Sequence, residues 1–338
     1  MLQTCSDIKH WSKGVYSVSN YKPKAGISVL SRRNVRIKVM QLLYMSNRNK
    51  GLDYDKLIRA YRTSVDQSYE LFLYGLLQFS RVLEYASKDA AKRKTKYLRS
   101  KEDLVFTNIL ATNELSDSLC SNEDYERKVR KYKLSPRIDK DDTRAIYAEF
   151  AKTDDYKKYL KIAQPKASDH QQILLALFKF CVNSERYNDS MEDFSSAWVD
   201  DKSLVVGTVK KTIRALPAAA NFLDTFLPPA ETTEFGEELL RYTYYDNKEL
   251  LSYIEPVLKN WDVDRVAIID MLLLKMALAE LLYFPTIPTK VTLNEFVEIS
   301  KLYSTEKSKD FINGILDRLM KKLEYEGKIN KQGRGLKG

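Results

Sequence analysis

Apolar residues recur at helical spacing over most of this chain of 338 residues. Between positions 32 and 45, the side chains of Val35, Val39 and Leu42 fall within an arc of about 60° when they are placed on a helix. Arg32, Arg33 and Arg36 fall in a neighbouring arc at the start of the segment. The pattern therefore predicts a helix near the start of the chain, with one buried stripe.

Amphipathic segments of the same kind follow as far as residue 324, and prolines separate many of them. They predict helices near 53–88, 101–116, 123–132, 141–163, 169–184, 203–222, 234–255, 262–283, 290–303 and 308–324. Only eleven glycines and nine prolines are present, which favours long helices over a turn-rich β fold. We therefore expect an all-α protein.

Charge is concentrated near the N-terminus. The net charge is +10, and residues 1–50 hold ten Lys or Arg against one acid, Asp7. A local excess of this kind indicates a polyanionic partner, although a solvated basic tail is an equal alternative on charge alone.

The cysteines and the hydropathy pattern indicate a reducing, aqueous compartment. Cys5, Cys120 and Cys181 are far apart and form no metal-binding or C-x-x-C spacing. No run of residues is apolar enough to cross a membrane, and we see no secretory signal. We therefore expect a cytoplasmic protein without a membrane partner.

No catalytic or cofactor motif is recognisable. The two histidines, His10 and His170, are not close in sequence to a nucleophile pattern, and neither a P-loop nor a dinucleotide-binding glycine motif occurs. The expectation is a protein without enzymatic activity and without a cofactor.

Two blocks at opposite ends of the chain form a distinctive pattern. One is the arginine-bearing segment from Arg32 to Tyr44. The other comprises an apolar helix (266–282), a proline-bounded turn leading into a helix (285–301), and a polar loop followed by Phe311-Ile-Asn-Gly314 (303–317). In this order, the two blocks resemble the NusB family of RNA-binding transcription antitermination factors. The resemblance implies a pair of NusB-like helical bundles.

Family chains are much shorter, so the resemblance implies a large insertion. We divide the chain into a flexible lead-in (1–28), a first NusB-like helix (29–50), a helical insertion or extension (51–225), a NusB-like C-terminal domain (226–325) and a disordered basic tail (326–338). Three roles stay open for the insertion: contacting polymerase, lengthening the RNA path through Lys92 to Lys96, or enlarging the bundle.

The resemblance also implies an RNA-binding surface. The arginine-rich segment of the family contacts boxA RNA, which assigns this role to Arg32, Arg33 and Arg36, with Lys38 as a weaker addition. Three arginines near a helix N-terminus suit phosphate binding because guanidinium groups make two-point contacts. A solvated helix start without a partner is the alternative.

Further candidates lie around the last two predicted helices. Lys290, Lys307 and Lys309 would add positive charge, and the loop from Ser304 to Lys309 is more basic than the matching family loop. Phe311 fits either a base-stacking role or a core stripe.

Five further residues carry structural or partner assignments. Tyr44 matches a family tyrosine near the protein-partner surface, or is a half-buried core residue. Thr292 and Glu295 fit a capping box, which predicts a helix that begins at Thr292. Asn313 and Gly314 are interpreted as capping and close helix packing.

The resemblance implies a non-catalytic antitermination factor for ribosomal RNA synthesis. Such a factor would bind boxA-like RNA together with NusE, a small-subunit ribosomal protein, and join an RNA polymerase antitermination complex. A helical protein–protein scaffold, in which the insertion binds the partner, is the alternative.

Overall fold

The computed structural model describes residues 30–49, 51–100, 103–104, 106–258 and 265–332. All regular secondary structure within these ranges is helical, as predicted. The helices are α1 (Arg32–Arg48), α2 (Tyr54–Lys94), α3 (Ile109–Thr112), α4 (Glu114–Cys120), α5 (Glu123–Lys131), α6 (Lys140–Phe150), α7 (Asp154–Leu160), α8 (Ala167–Asn183), α9 (Glu185–Phe194), α10 (Trp198–Arg214), α11 (Ala230–Tyr245), α12 (Asn247–Ile254), α13 (Ile268–Tyr283), α14 (Thr289–Tyr303) and α15 (Ser308–Tyr325). Short 3₁₀ turns occur at Ser135–Arg137, Phe222–Phe226 and Glu255–Val257.

Two hydrophobic cores share the long helix α2. The first core is formed by α1, the N-terminal part of α2 and α11–α15; the second contains the rest of α2, α3–α10 and Phe222–Phe226. Leu57, Tyr61 and Val65 of α2 lie in the first core, and from Tyr69 onward its buried residues lie in the second. With 41 residues, α2 is about 60 Å long. The segment 51–225 is therefore joined to the first core by one continuous helix.

Helix α1 has the predicted buried stripe. Val35 and Val39 are fully buried and Leu42 is nearly so, all within the first core. The side chain of Ser31 caps the helix by accepting a hydrogen bond from the backbone N–H of Asn34 at 3.3 Å. Sequence and structure agree here because the stripe packs against α11 and α13.

Two aspartates of α10 hold the second core against the first. Lys38 Nζ lies 3.0 Å from Asp201 Oδ2, which also accepts a hydrogen bond from the hydroxyl of Ser68 on α2. The neighbouring Asp200 accepts hydrogen bonds at 2.7 Å from Gln41 Nε2 of α1 and from the hydroxyl of Tyr303 on α14. Polar contacts from α1, α2 and α14 therefore converge on the first turn of α10.

Several predicted helix boundaries were wrong. The predicted helix 141–163 breaks after α6, where the hydroxyl of Thr153 caps α7. The predicted helix 234–255 breaks at Asp246 into α11 and α12. In place of the predicted helix 203–222, the structure has α10, which begins at Trp198 and ends at Arg214. Helix α9 was not predicted, and the prediction 101–116 resolves, within the described residues, into the short helices α3 and α4.

The predicted capping box at Thr292 was also wrong. Helix α14 begins at Thr289 with Pro288 at the N-cap position, so Thr292 lies inside the helix. Its hydroxyl donates to Glu280, while the carboxylate of Glu295 pairs with Arg33. Long-range polar contacts thus use both side chains that the local motif assigned to capping.

Gly314 does not mediate a close helix approach. A Cβ at this position would have no heavy atom within 4 Å, apart from the neighbouring residues and the backbone of its own helix. Asn313 is exposed. The close approach occurs at Gly236 of α11, where a Cβ would overlap Tyr61 and lie 2.5 Å from Val35 Cγ1.

The predicted lead-in 1–28 lies outside the described residues, as do positions 333–338 of the predicted tail. The first residues of that tail lie against α13. Lys331 Nζ donates to the carbonyl oxygens of Glu280 and Phe284, at 3.0 and 2.9 Å. The desolvation that accompanies burial lowers the pKa of Lys331 to about 8.

Candidate nucleic-acid interface

The first turn of α1 presents two exposed arginines. Arg32 lies with its guanidinium carbon 5.5 Å from the ring centroid of Phe235. Arg33 makes a two-point contact with Glu295 of α14, with its Nε 2.7 Å from Oε2 and its Nη2 2.8 Å from Oε1. Because carboxylates and phosphates offer guanidinium groups the same fork of oxygen atoms, Arg33 already has the geometry that phosphate binding requires.

Arg36 is not on this surface, although it was predicted to contact RNA together with Arg32 and Arg33. Its side chain is 2% exposed and its Nε and Nη2 each lie 2.7 Å from a carboxylate oxygen of Glu280, which is fully buried. The guanidinium carbon lies 5.2 and 5.8 Å from the rings of Phe235 and Phe296. One helical turn beyond Arg32, the side chain points into the first core.

Lys38 is buried as well, in the contact with Asp201 between the two cores. The sequence contained a signal for this position. Lys38 lies three residues after Val35 and four before Leu42, so it belongs to the buried stripe. A lysine in such a stripe requires a carboxylate partner, and that partner is 163 residues away in the sequence.

The loop between α14 and α15 is held by a buried carboxylate. Asp270 of α13 accepts hydrogen bonds from the hydroxyl of Ser304 at 2.6 Å and from that of Ser308 at 2.7 Å. Lys307 and Lys309 are exposed beside this anchored loop. Phe311 is partly buried and packs against the first core, which is the core position that the stripe predicted.

Arg33 of α1 and Lys309 of α15 belong to helices that both pack against α14. Arg33 pairs with Glu295 of α14. One turn further along α14, the pKa of Glu298 is lowered chiefly by a hydrogen bond from Lys301, with smaller contributions from the charges of Arg33 and Lys309. Lys301, at the C-terminal end of α14, was not among the predicted residues. Its position shortly before the polar loop was the feature of the sequence that could have identified it as part of the positive surface.

Lys290 and Tyr44 lie further from this surface. Lys290 is exposed in the first turn of α14, eleven residues and about 16 Å along the helix from Lys301. Tyr44 is 38% exposed and lies twelve residues, or about 18 Å, along α1 from Arg32. The neighbouring Met45 is 50% exposed, so this end of α1 has a partly apolar surface.

Replacing Glu295 with glutamine is expected to make stability less sensitive to acid. The hydrogen bond from Arg33 lowers the pKa of Glu295, and burial opposes it. A carboxyl group with a lowered folded-state pKa stabilises the fold above its unfolded-state pKa, and this contribution is lost as the pH falls through the folded-state value. In thermal unfolding from about pH 6 to about pH 3, the wild type should therefore lose more stability than Glu295→Gln. Equal losses would contradict a contribution from this pair.

In the described residues, no group of three or more His, Cys, Asp or Glu side chains is arranged to hold a metal ion. Across the same ranges, none of the helices combines the length and apolar character that a membrane span requires.

Comparison with known proteins identifies the family. The model of the NusB family matches residues 211–321. The transcription antitermination protein NusB of Salinibacter ruber is 44% identical over 107 residues, which cover 32% of this chain and 67% of that protein. The NusB proteins of Chloroherpeton thalassium and Natranaerobius thermophilus are 44% and 38% identical, over 49% and 65% of their lengths and 30% and 27% of this chain.

No solved structure matches the chain. The relatives align with roughly a third of it, and the matched region contains most of the helices that complete the first core. The identity to the Salinibacter ruber protein, over two thirds of that protein's length, is high enough to establish the relationship. This all-α chain, with its additional helical region, belongs to the NusB family.

Proposed function

We propose that this protein is a non-catalytic transcription antitermination factor that binds a boxA-like single-stranded RNA together with NusE. The observation that carries the proposal is the two-point contact of the exposed Arg33 with Glu295 of α14, the helix against which α15 packs with the exposed Lys309, in a chain whose relatives are named antitermination proteins. Arg32, Arg33, Lys307 and Lys309 are the primary RNA contacts in this proposal.

Arg33 is suited to exchange a carboxylate for a phosphate. Its two-point contact with Glu295 is partly exposed, with 44% of the arginine side chain accessible. An exposed ion pair contributes little to stability, so its rearrangement costs at most about 1 kcal/mol. A phosphate that lies between Arg32 and Arg33 also gains from the positive end of the α1 dipole.

Lys290 and Phe311 have secondary roles in this proposal. Lys290 extends the positive surface toward the start of α14. Phe311 is partly buried and packs against the first core, which leaves only part of its ring for contact with a base. Arg36 and Lys38 act indirectly, since they fix α1 in the orientation that presents Arg32 and Arg33.

NusE would bind the partly exposed end of α1 that carries Tyr44, on the same helix as Arg32 and about 18 Å from it. Binding RNA and NusE on one scaffold raises the effective concentration of each for the other, so neither contact needs to be strong alone. The assembled complex would join RNA polymerase and prevent termination during ribosomal RNA synthesis.

The first test is a fluorescence-anisotropy titration of a short boxA-type RNA and a scrambled RNA at two salt concentrations, with and without NusE. We expect selective binding that NusE strengthens and that Arg32→Gln/Arg33→Gln weakens. Each lost phosphate contact should reduce the salt slope by roughly 0.7. The variant Tyr44→Ala should weaken only the effect of NusE.

The control is Lys211→Gln/Arg214→Gln, which removes the same charge from exposed positions in the last turn of α10. It should bind as the wild type does. Equal, weak binding of both RNAs by all variants would overturn the proposal and favour a scaffold in which the insertion binds a protein.

A further inference from the structure

The far end of α2 carries a dense positive charge that is separate from the surface proposed for boxA-like RNA. Residues 88–99, which we name the basic tip, contain six Lys or Arg and one acid. The basic residues are Lys88, Lys92, Arg93, Lys94, Lys96 and Arg99. From Lys94 onward, every residue of the tip is exposed.

Only part of this charge is neutralised. Arg93 pairs with Asp89 and Asp103, at 2.9 and 3.0 Å, and Lys96 pairs with Asp103 at 2.9 Å. Within the described ranges, no carboxylate lies at ion-pair distance from the other four basic residues of the tip. Helix α7 packs nearby with two aspartates and two lysines, so it leaves the positive excess unchanged.

The tip also presents an aromatic ring to solvent. Tyr97 is 100% exposed and Leu98 is 85% exposed, so neither side chain contributes to packing. Lys88 and Lys92 lie over the ring of Tyr85, with their Nζ atoms 5.8 and 5.5 Å from its centroid. Tyr85 itself packs against the second core, so the exposed ring of the tip is Tyr97, which lies between the exposed Lys94, Lys96 and Arg99 in the sequence. Exposed cations and an exposed aromatic ring are the groups with which proteins bind single-stranded nucleic acid without sequence preference, through phosphate contacts and base stacking.

The rigid helix α2 fixes the distance of the tip from α1. Tyr61 of α2 lies beside Val35 of α1, where both face Gly236. Lys94 follows Tyr61 by 33 residues in the same helix, which corresponds to about 50 Å. A short RNA bound at the start of α1 therefore does not reach the tip, whereas a longer strand does.

We propose that the basic tip is a second, sequence-independent contact for the RNA strand that continues beyond the boxA-like segment. Lys94 and Arg99 bind phosphates, and Tyr97 stacks on an unpaired base. The insertion then acts as a rod that holds the flanking RNA at a fixed distance from α1. This inference rests on the proposed function, since it assigns the α1 surface to the same strand.

The test compares a short boxA-type RNA with the same RNA extended by an unstructured tail long enough to span about 50 Å. For the wild type, the tail should tighten binding at least about tenfold, because the second contact is intramolecular. Lys94→Gln/Arg99→Gln and Tyr97→Ala should each lose most of this gain and bind the short RNA normally. All changed side chains are exposed, and circular dichroism checks that the variants fold.

The control Arg59→Gln/Lys248→Gln removes an equal charge at exposed positions near the opposite end of α2 and on α12. It should keep the full gain from the tail. An equal gain in the tip variants and the wild type, or no gain in the wild type, would overturn the inference. So would tip-dependent binding to anionic phospholipid vesicles without tip-dependent binding to RNA.

The two proposals can fail separately. If the short RNA does not bind while the extended RNA binds through the tip, the α1 assignment fails and the tip remains an RNA contact. If the short RNA binds selectively and its tail adds nothing, only the tip assignment fails.

Discussion

Replacing Glu280 with alanine is expected to lower the free energy of unfolding by about 3–5 kcal/mol. The substitution leaves the guanidinium of Arg36 without its partner at a position that is 2% exposed. The hydroxyl of Thr292, which donates to Glu280 Oε1 at 2.7 Å, loses its acceptor as well. Glu295 does not replace the lost carboxylate, since its nearest oxygen lies 3.7 Å from Arg36 and already accepts from Arg33.

Urea denaturation of the variant measures this effect, and Glu237→Ala is the matched control. Glu237 makes the same two-point contact with Arg62, but 59% of that arginine side chain is exposed. Its loss should cost about 1 kcal/mol or less. A double variant, Arg36→Met/Glu280→Met, should be less destabilised than Glu280→Ala because no unpaired charge remains. Similar losses of unfolding free energy for Glu280→Ala and Glu237→Ala would contradict the conclusion that burial makes the Arg36–Glu280 pair more important for stability than the exposed Arg62–Glu237 pair.

The buried position of Arg36 shows which part of the site could be predicted from the sequence. Three arginines at the start of a helix indicate a positive surface, and Arg32 and Arg33 are on it. The partner of Arg36 is 244 residues away in the sequence, so no local pattern marks this arginine as buried. Similarly, Arg33 and Lys309 are brought to the same helix, α14, only because both α1 and α15 pack against it.

The insertion illustrates the corresponding limit for the fold. Helical periodicity predicted the all-α class and the helix 53–88, but it could not place 51–225 relative to the C-terminal domain. That placement depends on α2 continuing unbroken to Lys94 and on the contacts of Asp200 and Asp201 with α1, α2 and α14. An acidic residue in the first turn of a helix is ordinarily explained by its favourable interaction with the helix dipole. The sequence therefore contains no indication that Asp200 and Asp201 connect α10 to other helices.

Replacing Gly236 with alanine is the second change with a large expected effect, a loss of about 2–4 kcal/mol in the free energy of unfolding. The added Cβ would overlap Tyr61 and lie 2.5 Å from Val35 Cγ1, at the meeting point of α1, α2 and α11. Tyr61 is fully buried and its hydroxyl donates to the carbonyl oxygen of Thr233 at 3.1 Å. Moving the ring therefore breaks this bond, and moving α11 opens the first core.

The same substitution at Gly314 separates this steric effect from helix propensity. Gly314 lies inside α15 with no heavy atom of another element near its Cβ position, so alanine there should stabilise the protein by roughly 0.5–1 kcal/mol. Thermal and urea unfolding of both variants should thus give shifts of opposite sign. Destabilisation by Gly314→Ala would restore the predicted packing role of this glycine. A neutral Gly236→Ala would mean that α11 does not approach α1 and α2 as closely as the 2.5 Å separation requires.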